Sequence, residues 1–133
     1  MEKRSMRAFV TSATAIGIAL AAVAVSAGTA SATPPVRGGV ELCNYSTYPV
    51  TLKFPSRHMS LAVVYPGDTC LKLGKMANYG DEKINVMGEW IAGGWFTVET
   101  LDFNAAVEGI DIHAKGSTAN GGAAAYVDVA RIR

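Results

Sequence analysis

Residues 40–54 read VELCNYSTYPVTLKF, and both ends of this short stretch have the side-chain pattern of a β-strand. The first five residues alternate between apolar and polar side chains, and the last five do so more cleanly. Val50, Leu52 and Phe54 fall on one face of an extended chain, and the polar residues between them fall on the other. A repeat of two residues predicts strands that each bury one face.

The same pattern recurs along the chain, with turn residues between the segments. Pro66-Gly67 predicts a tight turn, and Asn120-Gly121 is the strongest short hairpin signal. Beyond the N-terminal region no segment has helical spacing over three turns, although residues 76–87 have room for one helical turn. We therefore expect one all-β domain, a small antiparallel β-sandwich or barrel of seven or eight short strands with one disulfide. The predicted strands are 40–44, 50–54, 60–65, 70–73, 83–90, 95–103, 106–113 and 124–132.

The N-terminal region has the composition of an export signal. A short basic start is followed by an uncharged stretch over residues 8–28, and residues 30–32 (ASA) match the pattern that signal peptidases recognise. We expect a signal peptide at 1–32, a flexible leader at 33–39 and the folded domain at 40–133. Cleavage after residue 32 would leave a secreted protein, and an alanine-rich signal of this kind is typical of bacteria.

Removal of the predicted signal changes the charge balance of the chain. The signal holds three of the 12 basic and one of the 11 acidic side chains, so the net charge goes from +1 to −1. A protein that binds nucleic acid or an anionic membrane surface needs a clear excess of Lys and Arg. We therefore expect no nucleic-acid partner and, for the secreted form, no membrane partner. The sequence does not specify an oligomeric state.

Cys43 and Cys70 are the only cysteines, and an exported protein meets oxidising conditions that favour their pairing. We expect a disulfide between them, which in the chain-entropy description stabilises the fold by about 3–4 kcal/mol. The sequence has no C-x-x-C, no paired histidines and no D-x-D-x-D-G loop, the patterns that bind zinc or calcium. It therefore predicts no metal and no cofactor.

No catalytic motif stands out, and we expect a protein that is not an enzyme. The two histidines are His58 and His113, and Ser60 lies two residues from His58, but no nucleophile motif surrounds it. Two carboxylates across a cleft could cleave a glycoside. The available acids are instead predicted to lie on the solvated faces of their strands. They are Glu89, Glu99, Asp102, Glu108 and Asp111.

Two tryptophans define the leading hypothesis for a binding surface. Trp90 and Trp95 flank the turn of a predicted hairpin, and a loop of two or four residues places both on one face. A loop of three residues separates them, and the alternative interpretation is that at least one of the two indoles fills the core of the sandwich. Exposed neighbouring indoles, together with Tyr79, would form a platform that stacks on sugar rings or anchors a protein. The sequence thus favours a secreted, non-catalytic binding module for an extracellular glycan or protein.

A second segment suggests an alternative function. Residues 55–60 lie inside the loop that the predicted disulfide closes, and a stiff exposed segment of this kind is what protease inhibitors present. Arg57, His58 and Met59 are the candidate inhibitory residues, with Arg57 or Met59 entering a protease pocket. The interpretation that the sequence favours for this segment is an ordinary polar turn joining two strands. A small hydrolase and a structural coat protein are further alternatives.

Overall fold

The computed structural model describes residues 36–133, so the predicted signal peptide lies outside the described residues. Within this range the chain forms strands and two short 3-10 helices, Pro55–Arg57 and Asn120–Gly122. No helix in this part of the chain is long and apolar enough to cross a membrane. The strands are β1 (Val40–Asn44), β2 (Val50–Phe54), β3 (Met59–Ser60), β4 (Leu71–Leu73), β5 (Glu82–Glu89), β6 (Trp95–Phe103), β7 (Gly109–Gly116) and β8 (Ala125–Ile132).

The strands form two four-stranded sheets. We name them sheet 1, with strand order β4-β1-β7-β8, and sheet 2, with strand order β3-β2-β5-β6. Apolar side chains from the inner faces of both sheets join in one buried core. The fold is an all-β sandwich, as the alternating pattern predicts. The largest fully buried core side chains are Leu42, Tyr48, Leu52, Phe54, Ile84, Phe103, Ile110 and Ile112.

One strand pair differs from the antiparallel expectation. β1 and β7 run parallel, with Val40 beside Ile110 and Asn44 beside Ala114. Parallel neighbours need a long crossover connection. The short gaps between the predicted strands favour antiparallel neighbours because none of them can hold a helical crossover. The connection between β1 and β7 is made instead by the chain that builds β4 and all of sheet 2.

The predicted strand at 60–65 is largely wrong. β3 consists of Met59–Ser60 alone, and pairing resumes only at a single bridge between Val50 and Val64. Between these two pairings β2 has two residues, whereas the opposite segment has three, 61–63. The extra residue interrupts the ladder of hydrogen bonds, as a β-bulge does.

Other predicted bounds also differ: those of β4, β5 and β8 by one residue, and those of β7 by three residues at both ends. β7 begins at Gly109 rather than at residue 106, because the preceding residues form a turn in which Val107 N–H donates to the Asn104 carbonyl. The helical turn allowed over residues 76–87 does not form. The second half of that range belongs to β5, which begins at Glu82.

Residues 36–39 are the described part of the predicted flexible leader. Gly38 and Gly39 are buried rather than loose. Gly38 N–H donates to the Glu108 carbonyl at 2.7 Å, and Ile110 N–H donates to the Gly39 carbonyl at 3.0 Å. The φ of +83° at Gly38 is one that glycine adopts without strain. The packed domain therefore begins before β1.

Tyr48 places a polar group inside the core. Its side chain is 1% exposed, and its hydroxyl donates to the Lys115 carbonyl at 2.9 Å. Burial disfavours the phenolate and raises the pKa of Tyr48 above its ordinary value of 10.0.

Tyr48→Phe is expected to lower the free energy of unfolding by about 1 kcal/mol at neutral pH, because the bond to Lys115 is lost. The pKa of Tyr48 is raised on folding, so its linked stability is fully present below pH 10.0 and is lost as the pH rises through the folded pKa. The wild type should therefore lose more stability than Tyr48→Phe above that pH. Urea unfolding of both proteins, at neutral pH and above pH 10.0, measures the difference between their free energies of unfolding. A difference that does not change with pH would contradict the prediction.

Candidate functional site

The outer face of sheet 1 carries a cluster of polar and charged side chains. Inward-pointing residues such as Val40 and Leu42 alternate with outward-pointing ones along each strand. We call this surface the polar face. It comprises Glu41, Cys43, Tyr45, Lys72, Asp111, His113, Lys115, Tyr126 and Asp128.

The strand register places these side chains in rows. Glu41 lies beside Asp111 across the parallel pair of β1 and β7, and Cys43 lies beside His113. On the other side of β7, His113 lies beside Asp128. Side chains opposite each other in a sheet are near neighbours, so groups distant in sequence meet on one surface.

Two tyrosines occupy one end of the polar face. Tyr45 and Tyr126 are each 51% exposed. The Tyr45 ring meets the His113 ring edge to face, with 5.1 Å between the ring centroids. Lys115 lies between the two tyrosines, opposite Tyr126 in the register, and bonds to Asp128 with an N–O distance of 2.8 Å. The hydrogen bond to Asp128 raises the pKa of Lys115, and the two tyrosines contribute further.

The loop that carries Tyr45 is held by a buried asparagine. The Asn44 side-chain amide donates to the carbonyls of Tyr48 and Val64, both at 2.8 Å. Its side-chain oxygen accepts the Ser46 N–H at 2.9 Å. These bonds fix the chain just after β1. Tyr45 therefore projects from a rigid turn, which reduces the ordering cost of binding.

The other end of the polar face contains buried acids. Glu41 is 3% exposed and Asp111 is 7% exposed. Burial, followed by the charge of Asp111, raises the pKa of Glu41. Asp111 Oδ2 lies 3.1 Å from His113 Nε2, while Asp111 Oδ1 is buried with no hydrogen-bond partner among the described residues.

The predicted disulfide between Cys43 and Cys70 is confirmed and borders these acids. A carboxylate oxygen of Asp111, a ring nitrogen of His113 and the Cys43 sulfur lie within 4.8 Å of one another. A carboxylate oxygen of Glu41 and the two disulfide sulfurs also lie within 4.8 Å of one another. The bond joins β1 to the residue before β4. Since both cysteines are paired, neither offers a thiolate.

The tryptophans do not share a face. The backbone N–H of Trp90 donates to the Gly94 carbonyl at 2.9 Å, so the loop between Trp90 and Gly94 has three residues, 91–93. Trp90 stacks on Phe96, with ring centroids 4.0 Å apart, and Phe96 contacts buried Tyr48 on the inner side. Trp95 precedes Phe96 in β6 and therefore points outward, 38% exposed. The structure separates the two indoles that the platform hypothesis requires.

Tyr79 lies far from both indoles. It covers the guanidinium of Arg57, 4.1 Å from its ring centroid, near the start of β5 at Glu82. Trp95 pairs with Glu89 at the other end of β5, and eight residues of strand span about 23 Å. Tyr79, Trp90 and Trp95 thus do not form one platform.

The candidate inhibitory segment is turned inward at Arg57. Its guanidinium makes bonds of 2.7–3.1 Å to the Glu82 carboxylate and donates to the Ala77 carbonyl at 2.6 Å. The Arg57 and Glu82 side chains are 8% and 0% exposed. His58 has a left-handed φ of 50° and ends the 3-10 helix, and Met59 is half-buried in β3. Arg57 is therefore not presented to a protease.

The remaining candidate acids differ in burial and in their partners. Glu108 is buried and paired with Arg131 at 3.0 Å, so the expectation of a solvated side chain is wrong there, as it is for Asp111. Asp102 is exposed and bonds to Lys83, and this hydrogen bond lowers the pKa of Asp102. Glu99 is exposed on sheet 2.

No protein-family model matches this chain, and neither does any curated protein. The assignment of function therefore depends on the geometry of the surface. The sequence singles out Asp111 and His113 only by residue type and does not single out Tyr45 or Tyr126. The alternation in β8 does place Tyr126 and Asp128 on one face, but the partners across the sheet appear only with the strand register.

Proposed function

We propose that this protein is a secreted, non-catalytic binding module whose polar face holds an extracellular glycan. The observation that carries this proposal is the pair of half-exposed rings, Tyr45 and Tyr126, with Lys115 between them and Asp128, two residues from Tyr126 on β8, paired to that lysine. An aromatic ring packs against the apolar side of a sugar, while the charged groups beside the rings bond to its hydroxyls.

The charges of the polar face favour an uncharged glycan. The face holds three carboxylates, on Glu41, Asp111 and Asp128, and two ammonium groups, on Lys72 and Lys115. Glu41 and Asp111 are buried, so the accessible charges are those of Lys72, Lys115 and Asp128, and Lys115 is paired with Asp128. A surface with so little net charge gives only weak attraction for uronic acids and phosphorylated polymers. Neutral polysaccharides, including N-acetylated ones such as chitin, fit this balance of charge and aromatic surface.

The non-catalytic role is proposed from the sequence, in which no nucleophile motif surrounds either histidine. In the structure His113 is hydrogen-bonded to Asp111 and packed against Tyr45, so it forms part of the polar face.

Export is proposed from the N-terminal sequence and is supported by the disulfide, which forms and persists in oxidising compartments. N-terminal sequencing of the protein recovered from culture medium tests it. The expected first residue is Thr33. Recovery of the full-length chain inside the cell alone would contradict it.

Glycan binding is tested by calorimetric titration with short neutral oligosaccharides of chitin, cellulose and xylan. At least one of them should bind, and Tyr45→Ala and Tyr126→Ala should each weaken binding roughly tenfold, because each removes one stacking ring. Trp95→Ala is the matched control, since it removes an exposed aromatic ring from the outer face of sheet 2. Binding that Trp95→Ala abolishes and the tyrosine variants leave intact would contradict the proposal.

A further inference from the structure

The outer strands of the two sheets differ in how much unpaired backbone they leave. β3 and β4 have only two and three residues. β6 has nine residues, but its register shifts opposite Val86 and Met87, and an irregularity of this kind protects the edge of a sheet from further pairing. β8 has eight residues in one unbroken register with β7. Among the residues that the structure describes, β8 is therefore the long and regular edge strand.

The backbone of β8 has a row of groups that face away from β7. Ser117 N–H donates to the Ala124 carbonyl at 3.2 Å, in register with the pairs that β7 and β8 form. Hydrogen-bonded and non-hydrogen-bonded pairs alternate along an antiparallel ladder, so every second residue from Ala124 onward directs its backbone groups to β7. The residues between them, which include Val127 and Val129, direct theirs to the free edge of sheet 1. No other described strand pairs with that edge.

The side chains of β8 suit pairing with a further strand. On the inner face Ala125, Val127 and Val129 are half-buried against the core, so a neighbouring strand would remove more of their apolar surface from water. Prolines and charges are what protect natural edge strands. Residues 125–130 contain no proline, and their one charged side chain, Asp128, is paired with Lys115 at 2.8 Å.

We propose that β8 pairs antiparallel with β8 of a second copy of this chain, so that sheet 1 continues from one copy into the other around a two-fold axis. The pairing centres on Val127, which lies opposite Val127 of the partner subunit. On the inner face Ala125 then lies opposite Val129 of the partner subunit. On the outer face Tyr126 lies opposite Asp128 of the partner subunit, and no like charges meet.

The two neighbouring registers fit less well. A pairing centred on Asp128 would place two carboxylates side by side, which destabilises a sheet. A pairing centred on Val129 would place Arg131 opposite Val127 of the partner subunit, in a row that is otherwise apolar. Arg131 is also already bonded to Glu108 at 3.0 Å. The register centred on Val127 avoids both conflicts.

A second copy is the occupant that this edge fits best. It supplies a strand of the same length and the same alternation, and a two-fold contact covers the free edges of both copies at once. The pairing also joins the two polar faces into one surface, with a Tyr126 on each side of the junction. The inference goes beyond the proposed glycan binding and does not depend on it.

Sedimentation of the purified protein over micromolar to millimolar concentrations, without any sugar, tests the proposal. The expected result is an equilibrium between monomer and dimer. Hydrogen exchange at the same concentrations locates the contact. Exchange of the Val127 and Val129 amides should slow as the dimer forms, because their N–H groups become hydrogen-bonded.

Variants test the strand and its register. Tyr126→Glu should weaken the dimer about tenfold, because it adds a carboxylate opposite Asp128 of the partner subunit in two symmetric pairs. Tyr126→Lys removes the same ring but should not weaken the dimer. Thr97→Glu is the matched control, since it adds the same charge at an exposed position of β6, the other long edge strand, and should leave the dimer unchanged. Circular dichroism confirms that each variant is folded.

Three results would overturn the proposal. One is a wild type that stays monomeric throughout this range, whether or not β8 then binds an extended peptide of another protein. Another is a dimer that Thr97→Glu weakens and Tyr126→Glu does not, because the contact would then lie on β6. The third is a dimer in which the Val127 and Val129 amides exchange as fast as in the monomer.

Discussion

Arg57→Ala is expected to lower the free energy of unfolding by about 3–5 kcal/mol, the largest effect of any surface-loop substitution considered for this protein. The Arg57 guanidinium holds both oxygens of Glu82, at 2.7–3.1 Å, and the Glu82 side chain has no exposure to solvent. Truncation leaves that carboxylate buried without a counter-charge. Urea unfolding monitored by circular dichroism measures the loss.

Two comparisons separate this pair from an ordinary ion pair. Lys83→Ala removes the partner of Asp102 in an exposed pair and should lower the free energy of unfolding far less than Arg57→Ala does, because solvent screens exposed charges. Arg57→Met combined with Glu82→Met removes both charges and should recover most of the loss, because no buried charge remains unpaired. If Arg57→Ala lowered the free energy of unfolding no more than Lys83→Ala does, the result would contradict a buried Arg57–Glu82 pair. Arg57 would then be available for the inhibitory role.

Removal of the disulfide is expected to cost about 2–5 kcal/mol. Cys43 lies in the centre of sheet 1, and Cys70 leads into β4, an edge strand of only three residues. With few ladder bonds of its own, β4 depends on the cross-link to stay paired with β1. The variant Cys43→Ala/Cys70→Ala, unfolded in urea beside the oxidised wild type, measures the effect.

Chemical reduction of the wild type provides the control for that variant. Reduced wild type and Cys43→Ala/Cys70→Ala should have similar stability, since both lack the cross-link and keep small side chains in the buried position. Equal stability of the oxidised and reduced wild type would contradict a structural role for the bond.

Strands with clean alternation were predictable from the sequence. The boundaries of β1 and β2 agree with the alternating segments 40–44 and 50–54, because burial of one face requires a period of two. β6 also has its predicted bounds, 95–103, although a register shift opposite Val86 and Met87 interrupts its alternation. The parallel pairing of β1 with β7 was not predictable in this way, since a local pattern does not specify which distant strand becomes the neighbour. The extra residue in 61–63 could not be predicted either, because it is extra only in relation to the two residues of β2 that lie opposite.

The candidate site was less predictable than the fold. The separation of Trp90 from Trp95 depends on a single residue of loop length, and Gly93 and Gly94, both with positive φ, form the turn that sets it. The Arg57–Glu82 pair joins residues 25 positions apart, so neither partner reveals the other in sequence. Such pairings belong to tertiary structure and not to local pattern.

The central claim is that ligands bind the polar face of sheet 1 and not the tryptophan hairpin. Backbone amide chemical-shift mapping during titration with a neutral oligosaccharide tests it most directly. The expected shifts cluster in 43–45, 113–115 and 126–128, the segments that carry the tyrosines and the Lys115–Asp128 pair. Shifts confined to residues 90–95 or 55–60, with the polar face unaffected, would contradict the claim.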